Sequence, residues 1–174
     1  MKTAHVLKSE AAAARLAYSF FDSPVGRLLL AGDERGLWLL SFAREDSSSR
    51  PGDAWLASES PFREVLRQLN AYFHRELRSF DVPVHLVGTE FQRAVWSALP
   101  LIPYGSTTSY GELARRVGRP AAVRAVGGAN HANPISIIIP CHRVIGSNGR
   151  LVGYGGGLAT KDRLLALERG ELLF

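Results

Sequence analysis

The sequence predicts an α+β protein in two parts: an N-terminal antiparallel sheet with one helix over residues 1–87, and a helix-turn-helix domain over residues 88–174. Three observations lead there. Short apolar segments punctuated by turn residues run from Ala17 to Phe42, as in a meander of strands. Around Gly88 the pattern changes to short helices with capping residues. Charge changes near the same place: residues 1–90 hold 11 Lys+Arg against 12 Asp+Glu, and residues 91–174 hold 10 against 4, so the stated +5 is −1 on one half and +6 on the other. Of the 21 basic side chains 18 are Arg, the type suited to forked contacts with phosphate. A solvated basic face has the same composition. With 46% hydrophobic residues the 174-residue chain is no disordered segment. Its single cysteine, Cys141, excludes a disulfide scaffold and a thiolate-rich metal domain, and a reducing cytoplasm is the expected compartment. The apolar run from Ala11 to Phe21 is broken by Arg15 and is too short for a membrane span.

The elements follow in order. Strands are expected at Tyr18–Phe21, Arg27–Ala31 and Leu37–Phe42, joined by turns at Ser23–Gly26 and Gly32–Gly36. Arg44–Asp53, with three consecutive serines and Pro51-Gly52, reads as a surface loop. Ser60 and Pro61 are suited to start a helix whose stripe is Val65, Leu66, Leu69, Tyr72, Phe73 and Leu77. Phe80–Val87 reads as an edge strand because it contains Pro83. Thr89-Glu90-Phe91-Gln92 and Ser109-Tyr110-Gly111-Glu112 are two capping boxes. The second opens a helix ending at Gly118, and a third helix is expected from Ala121 to about Ala129. This pair reads as helix-turn-helix. Ile135–Ile139 reads as a buried strand, Val144-Ile145 and Leu151-Val152 as a hairpin, and Gly153–Gly157 as a loop whose backbone N–H groups line a pocket. Thr160 is the expected cap of the last helix.

Three features bear on chemistry. Cys141 follows an apolar run and a proline, and His142 and Arg143 follow it. A free cysteine is often a small core residue, but a turn beside a His and an Arg can favour the nucleophilic thiolate. On a strand His142 would point away from Cys141, so contact requires the turn. Glu168 shares a helix face with Leu164 and Leu165. It either reaches solvent or pairs with Arg169 or Lys161, or it is a buried carboxylate orienting a histidine. In the third helix six of the nine residues from Ala121 to Ala129 are Ala or Gly. Such a helix suits tight packing on a neighbour and, equally, close approach to a nucleic-acid groove with Arg124 as its one long projection.

Ile138-Ile139-Pro140-Cys141-His142-Arg143-Val144, with Arg124-Ala125-Val126-Gly127-Gly128, Asn133-Pro134 and Tyr154-Gly155-Gly156-Gly157, resembles the O6-alkylguanine-DNA alkyltransferases of direct-reversal DNA repair. The resemblance covers about Thr89 to Glu168 closely. Asp22–Gly26 and Asn70–Phe73 are similar to stand-alone bacterial members. It implies a ribonuclease-H-like N-terminal domain packed on a winged-helix-like helix-turn-helix domain. It further implies a single-turnover transfer in which Cys141 takes the alkyl group from a guanine flipped out of double-stranded DNA. His142 would act as base through a water, Glu168 would orient it, Asn133 would hold the turn, and Tyr110 would hydrogen-bond the base at N3. Tyr154, Gly155 and the carbonyls of Cys141 and Val144 would form the guanine pocket. The third helix, with Ala122, Ala125 and Gly127, would enter the minor groove, and Arg124 would fill the gap left by the base. No cofactor, no metal and no membrane partner are implied, and the protein is expected to be a monomer. Gly155 stands where some relatives carry Ser, and Val123 where many carry Ala. A lesion-binding module without transfer lacks the signature cysteine, and a turnover thiol hydrolase gives no reason for the Arg124 helix.

Overall fold

The computed structural model describes residues 15–43 and 51–171. The expected surface loop and the N-terminal apolar run therefore lie partly outside the described residues. The chain divides between Gly88 and Thr89 into two compact units.

In the first unit β1 (Ala17–Ser23), β2 (Gly26–Asp33) and β3 (Gly36–Phe42) form the expected antiparallel meander. β2 lies between its neighbours, and Leu28, Leu29, Leu30 and Ala31 on it are fully buried. A short β4 (Leu56–Ala57), which the sequence did not suggest, adds to β1 in parallel. Helix α1 (Arg63–Phe73) buries Val65, Leu69, Tyr72 and Phe73. Ser60 does not cap it, because Ser60–Phe62 first wind a 3-10 turn, and Leu77 lies beyond its end. Phe80–Val87 is not a strand. One parallel bridge pairs Leu37 with Val84, formed by Leu37 N–H to Pro83 O at 2.9 Å and His85 N–H to Leu37 O at 2.8 Å. Pro83 has no N–H to extend a ladder. The buried Gln68 ties the start of that segment to α1, donating to Asp81 O and accepting from Asp81 N–H, both at 2.8 Å.

In the second unit α2 (Glu90–Ala98) starts with a complete capping box, Thr89 and Gln92 each bonding the other's backbone N–H. Helix α3 (Tyr110–Arg116) has half of one: the Ser109 hydroxyl accepts from Glu112 N–H, while the Glu112 carboxylate turns to Arg115. After the turn at Val117–Ala122 comes α4 (Val123–His131). It begins two residues later than expected because Arg119 N–H bonds Ala114 O and Ala122 N–H bonds Arg119 O, prolonging the turn. Inside the unit the buried Trp96 indole donates to Ala129 O at 2.8 Å, which fixes α2 against α4. β5 (Thr108–Ser109) pairs in parallel with β6 (Val144–Ile145), so the expected hairpin partner at Leu151-Val152 is replaced by a distant strand. The turn at Gly146–Arg150 nevertheless forms. Helix α5 (Leu158–Arg169) is capped by Gly157 rather than Thr160.

Ile135–Ile139 is buried but is not a strand. It coils into turns, with Ile139 N–H bonding Ile135 O at 3.0 Å and Ile137 at φ 72°. A β-branched residue there is strained, so something must impose the bend. Asn133 does: its Oδ1 accepts from Ile135 N–H at 3.0 Å and its Nδ2 donates to Ile139 O at 2.8 Å. One side chain thus supplies the bonds that a partner strand would have offered.

Candidate active site and DNA-binding helix

The segment clamped by Asn133 delivers the chain to Pro140, after which Cys141–Arg143 form a 3-10 turn. The turn thus forms where the sequence required it for any contact between Cys141 and His142. Cys141 is 5% exposed, so anything that reacts with the sulfur must enter the protein. Burial pushes the thiol up from its ordinary pKa, against the Asn133 hydrogen bond and the positive charge of Lys161. At neutral pH it is a protonated, quiet thiol that needs a base.

The next residue, His142, is fully buried, and its ring Nε2 lies 2.8 Å from Glu168 Oε1. Arg143 grips the same carboxylate with two donors, Nε to Oε2 and Nη2 to Oε1, both at 2.9 Å, and gives Nη1 to Ile102 O at 2.7 Å. Gly105 N–H donates to Oε2 at 3.1 Å. Gly105 has φ 76°, and a Cβ on it would meet Glu168 O at 3.0 Å, so the close approach requires glycine. Burial would raise the Glu168 carboxyl, but hydrogen bonds and charge from His142 and Arg143 outweigh it and hold the pKa at about 2. Burial lowers His142, against the raising effect of Glu168. The pair is therefore an ionised carboxylate and a neutral imidazole. A carboxylate can only accept, so Nε2 carries the ring proton. Nδ1, buried and without a protein partner among the described residues, is left as an acceptor.

A second cluster surrounds the thiol. Lys161, with no exposed surface, donates to Val144 O at 2.6 Å and Val152 O at 2.8 Å. Burial lowers its pKa to about 8, with Cys141 acting in the opposite sense. Tyr110 donates its hydroxyl to Val152 O at 3.2 Å. Asn130 donates Nδ2 to Cys141 O at 3.3 Å. Tyr154 is buried, its ring edge-on to His142 with centroids 6.3 Å apart. Gly155 is exposed, and a Cβ added there would meet nothing within 4 Å. The carbonyls of Cys141 and Val144 are already hydrogen-bonded, to Asn130 and Lys161.

Helix α4 presents Val123, Arg124, Ala125 and Gly128 outward, with Ala122 half-buried before it. Gly127 is turned inward, where a Cβ would lie 3.8 Å from the Tyr110 ring. The Ala/Gly composition therefore serves packing on one side while leaving a low outer surface with Arg124 exposed.

Sequence reasoning missed four participants, among them Asn130, which donates to Cys141 O. Arg143 was read as a neighbour of the thiol, whereas its guanidinium is committed to Glu168. Lys161 was seen only as an ion-pair partner of Glu168, although it shares the face of Leu164, Leu165 and Glu168 that marked the carboxylate as buried. Gly105 lies 63 residues from Glu168 and carries no local signal.

Residues 90–170 match the family model for the 6-O-methylguanine DNA methyltransferase DNA binding domain, and residues 16–86 that family's ribonuclease-like domain. The chain belongs to the 6-O-methylguanine DNA methyltransferase family. Among relatives, a methylated-DNA–protein-cysteine methyltransferase of Methanosarcina acetivorans is 55% identical over 87% of this chain and 97% of its own. One from Mycobacterium leprae is 52% identical over 87% and 92%. A crystal structure of Mycobacterium tuberculosis OGT in complex with DNA superposes with a TM-score of 0.84 at 49% identity, covering 90% of this chain and 95% of that one. In this methyltransferase family chain, no helix among the described residues is long and apolar enough to cross a membrane.

Proposed function

We propose that the protein repairs double-stranded DNA by transferring the alkyl group of O6-alkylguanine irreversibly to Cys141, one lesion per molecule. The observation that carries this reading is the single buried thiol beside a neutral imidazole whose tautomer is set by an ionised, doubly gripped Glu168. An alkyl carbon on a stacked base is out of reach of a protein sulfur, so the nucleotide must be extruded, at a cost of a few kcal/mol. The pocket for it is formed by Tyr154, Gly155 and the carbonyls of Cys141 and Val144. His142 Nδ1 takes the thiol proton through a water. The thiolate sulfur attacks the alkyl carbon, the S–C bond forms as the C–O bond breaks, and the electron pair leaves with the guanine. A hydrogen bond from Tyr110 to the ring nitrogen N3 assists that departure, and Asn133 holds the turn in place. The product is a thioether, which has no easy hydrolytic exit. A chemistry that depends on one reduced thiol belongs in the cytoplasm.

Incubation with a duplex containing O6-methylguanine is expected to make the protein one methyl group heavier, at Cys141, and to stop at one equivalent. Continued turnover in a mass-resolved assay would reject the reading.

The same reading sets α4 in the minor groove through its low outer face at Ala122 and Ala125, with Arg124 filling the space the base leaves, whereas Gly127, expected on that face, packs inward on the Tyr110 ring. The +6 charge of residues 91–174 supports a phosphate-tracking contact indifferent to sequence. Arg124→Ala is expected to slow repair and weaken duplex affinity by about tenfold or more, since it forfeits part of what offsets extrusion. Affinity of the unaltered protein should fall steeply with salt. Fluorescence anisotropy across a salt series checks both, and a silent Arg124→Ala would remove the finger role.

A further inference from the structure

We infer that Gly105 is a positioning residue, whose backbone N–H at Glu168 Oε2 limits how strongly that carboxylate holds a proton on His142 and so keeps the imidazole ready to take one from the thiol. This rests on the alkyl-transfer reading above and deepens it.

The two oxygens of Glu168 divide their donors. Oε1 accepts from His142 Nε2 at 2.8 Å and from Arg143 Nη2 at 2.9 Å. Oε2 accepts from Arg143 Nε at 2.9 Å and from Gly105 N–H at 3.1 Å. A carboxylate oxygen offers about two lone-pair positions, so the Gly105 N–H engages one that would otherwise add to the charge facing His142. A side-chain donor could follow the carboxylate if it turned, whereas this one is fixed in the backbone. The turn that carries it is closed by Ser106 N–H to Pro103 O at 3.0 Å. At its start Ile102 N–H bonds Leu99 O at 3.0 Å, and Ile102 O accepts from Arg143 Nη1 at 2.7 Å. One turn therefore grips both the carboxylate and the guanidinium that neutralises it. Glycine is what allows the approach. With φ at 76° and Glu168 O 3.0 Å from where a Cβ would stand, any other residue pushes the two segments apart.

Once Nδ1 has taken the thiol proton, His142 is a cation that Glu168 stabilises. A carboxylate that stabilised it too well would load the imidazole before the lesion arrived, and a loaded imidazole cannot act as the base. Each donor on Glu168 draws off part of the charge that the imidazolium would feel. Removing the Gly105 donor leaves a more basic carboxylate, and His142 then protonates at higher pH. The titratable and charged groups around the ring are Cys141 and Arg143 on its own turn, Tyr104 beside Arg143, Tyr154 edge-on to the ring, and Glu168 and Lys161 on α5. A change at Gly105 replaces none of them.

The test puts glycolic acid in place of Gly105 in the full chain, introduced during translation, which exchanges the N–H for an ester oxygen and adds no Cβ. Single-turnover methyl transfer, with protein in excess over an O6-methylguanine duplex, is followed from about pH 4 to 8. The acid limb is expected to move up by about 0.5–1 pH unit, so that on the limb the rate at a given pH falls about 3- to 10-fold, while duplex affinity stays at the unaltered value. The His142 ring-nitrogen shifts, followed by NMR without DNA, should show the same displacement. Gly105→Ala, which forces the turn off Glu168, should move both midpoints in the same direction, and it carries the test if the ester chain folds poorly. On a His142→Gln background, where the amide can donate to Glu168 but takes no proton, the limb and its response should both vanish. An unmoved midpoint, an equal loss at every pH, or a response that persists with His142→Gln would overturn the inference. Unaltered protein that takes up no methyl would sink the alkyl-transfer reading itself, while the NMR midpoint would still decide the role of Gly105.

Discussion

Protein carrying Cys141→Ser is expected to bind an O6-methylguanine duplex as tightly as the unaltered chain and to gain no mass after prolonged incubation. The reason lies in the resting state of the site. Burial keeps even the thiol protonated, and burial also keeps His142 a weak, neutral base. Such a base can take a proton from a thiol, whose ordinary pKa is about 8.5, because sulfur is nucleophilic with little charge development. A serine hydroxyl is a far weaker acid and its oxygen a poorer nucleophile than sulfur toward an alkyl carbon, so the buried neutral His142 does not activate it enough for transfer. Serine is nearly the size of cysteine, so the pocket and the turn at Cys141–Arg143 keep their shape. Paired measurements of duplex affinity and intact mass decide the matter. A residual mass gain on the serine variant would show a different nucleophile, and lost affinity would show that the thiol itself holds the lesion.

Glu168→Gln is expected to lower stability by about 3–5 kcal/mol, the usual range for removing one partner of a buried pair. The amide keeps the volume but leaves the Arg143 guanidinium, 7% exposed, without a counter-charge. It also presents an N–H where His142 and Gly105 both need an acceptor. At about 2–4 °C per kcal/mol for a chain of this size, melting should fall by about 10 °C. The pH dependence carries a second signature. The folded pKa of Glu168 is about 2 against an ordinary 4.5, so its contribution is fully present above pH 4.5 and is lost as pH falls from there toward 2. The linked free energy is about 3 kcal/mol. The glutamine variant should lack this acid-side slope. Urea unfolding followed between pH 2 and 7 measures both, and a variant that melts with the unaltered chain and keeps the slope would contradict the buried charge pair.

How much was legible in the sequence depended on how far apart the interacting groups lie. The Thr89 capping box needs only Thr89 and Gln92, and it forms in full. The meander of β1–β3 is set by short apolar runs and the tight turns between them, again local. Ile135–Ile139 looked like a strand because its β-branched side chains suit one, but Asn133 supplies the hydrogen bonds and the run bends around it. The Cys141–His142 neighbourhood could be framed only as a condition, that the chain turn there, and it does. Glu168 stood out because a carboxylate interrupted an apolar face. Its partners His142, Arg143 and Gly105 come from two distant segments, and no pattern along the chain announces such a convergence. The second unit is thus readable as helices and caps, while its polar interior is a product of tertiary closure.

The ammonium of Lys161 spans Val144 O and Val152 O, so it fastens both ends of the segment that crosses Gly146–Arg150. For protein engineering this makes a clasped loop. Ser147, Asn148, Gly149 and Arg150 are exposed, and the strand and helix on either side are held without them. Doubling the length of such a loop adds only about 0.6 kcal/mol of closure entropy. A peptide tag or reporter graft belongs there, between Ser147 and Asn148, where the fastening keeps added chain from loosening the carbonyls that frame the thiol.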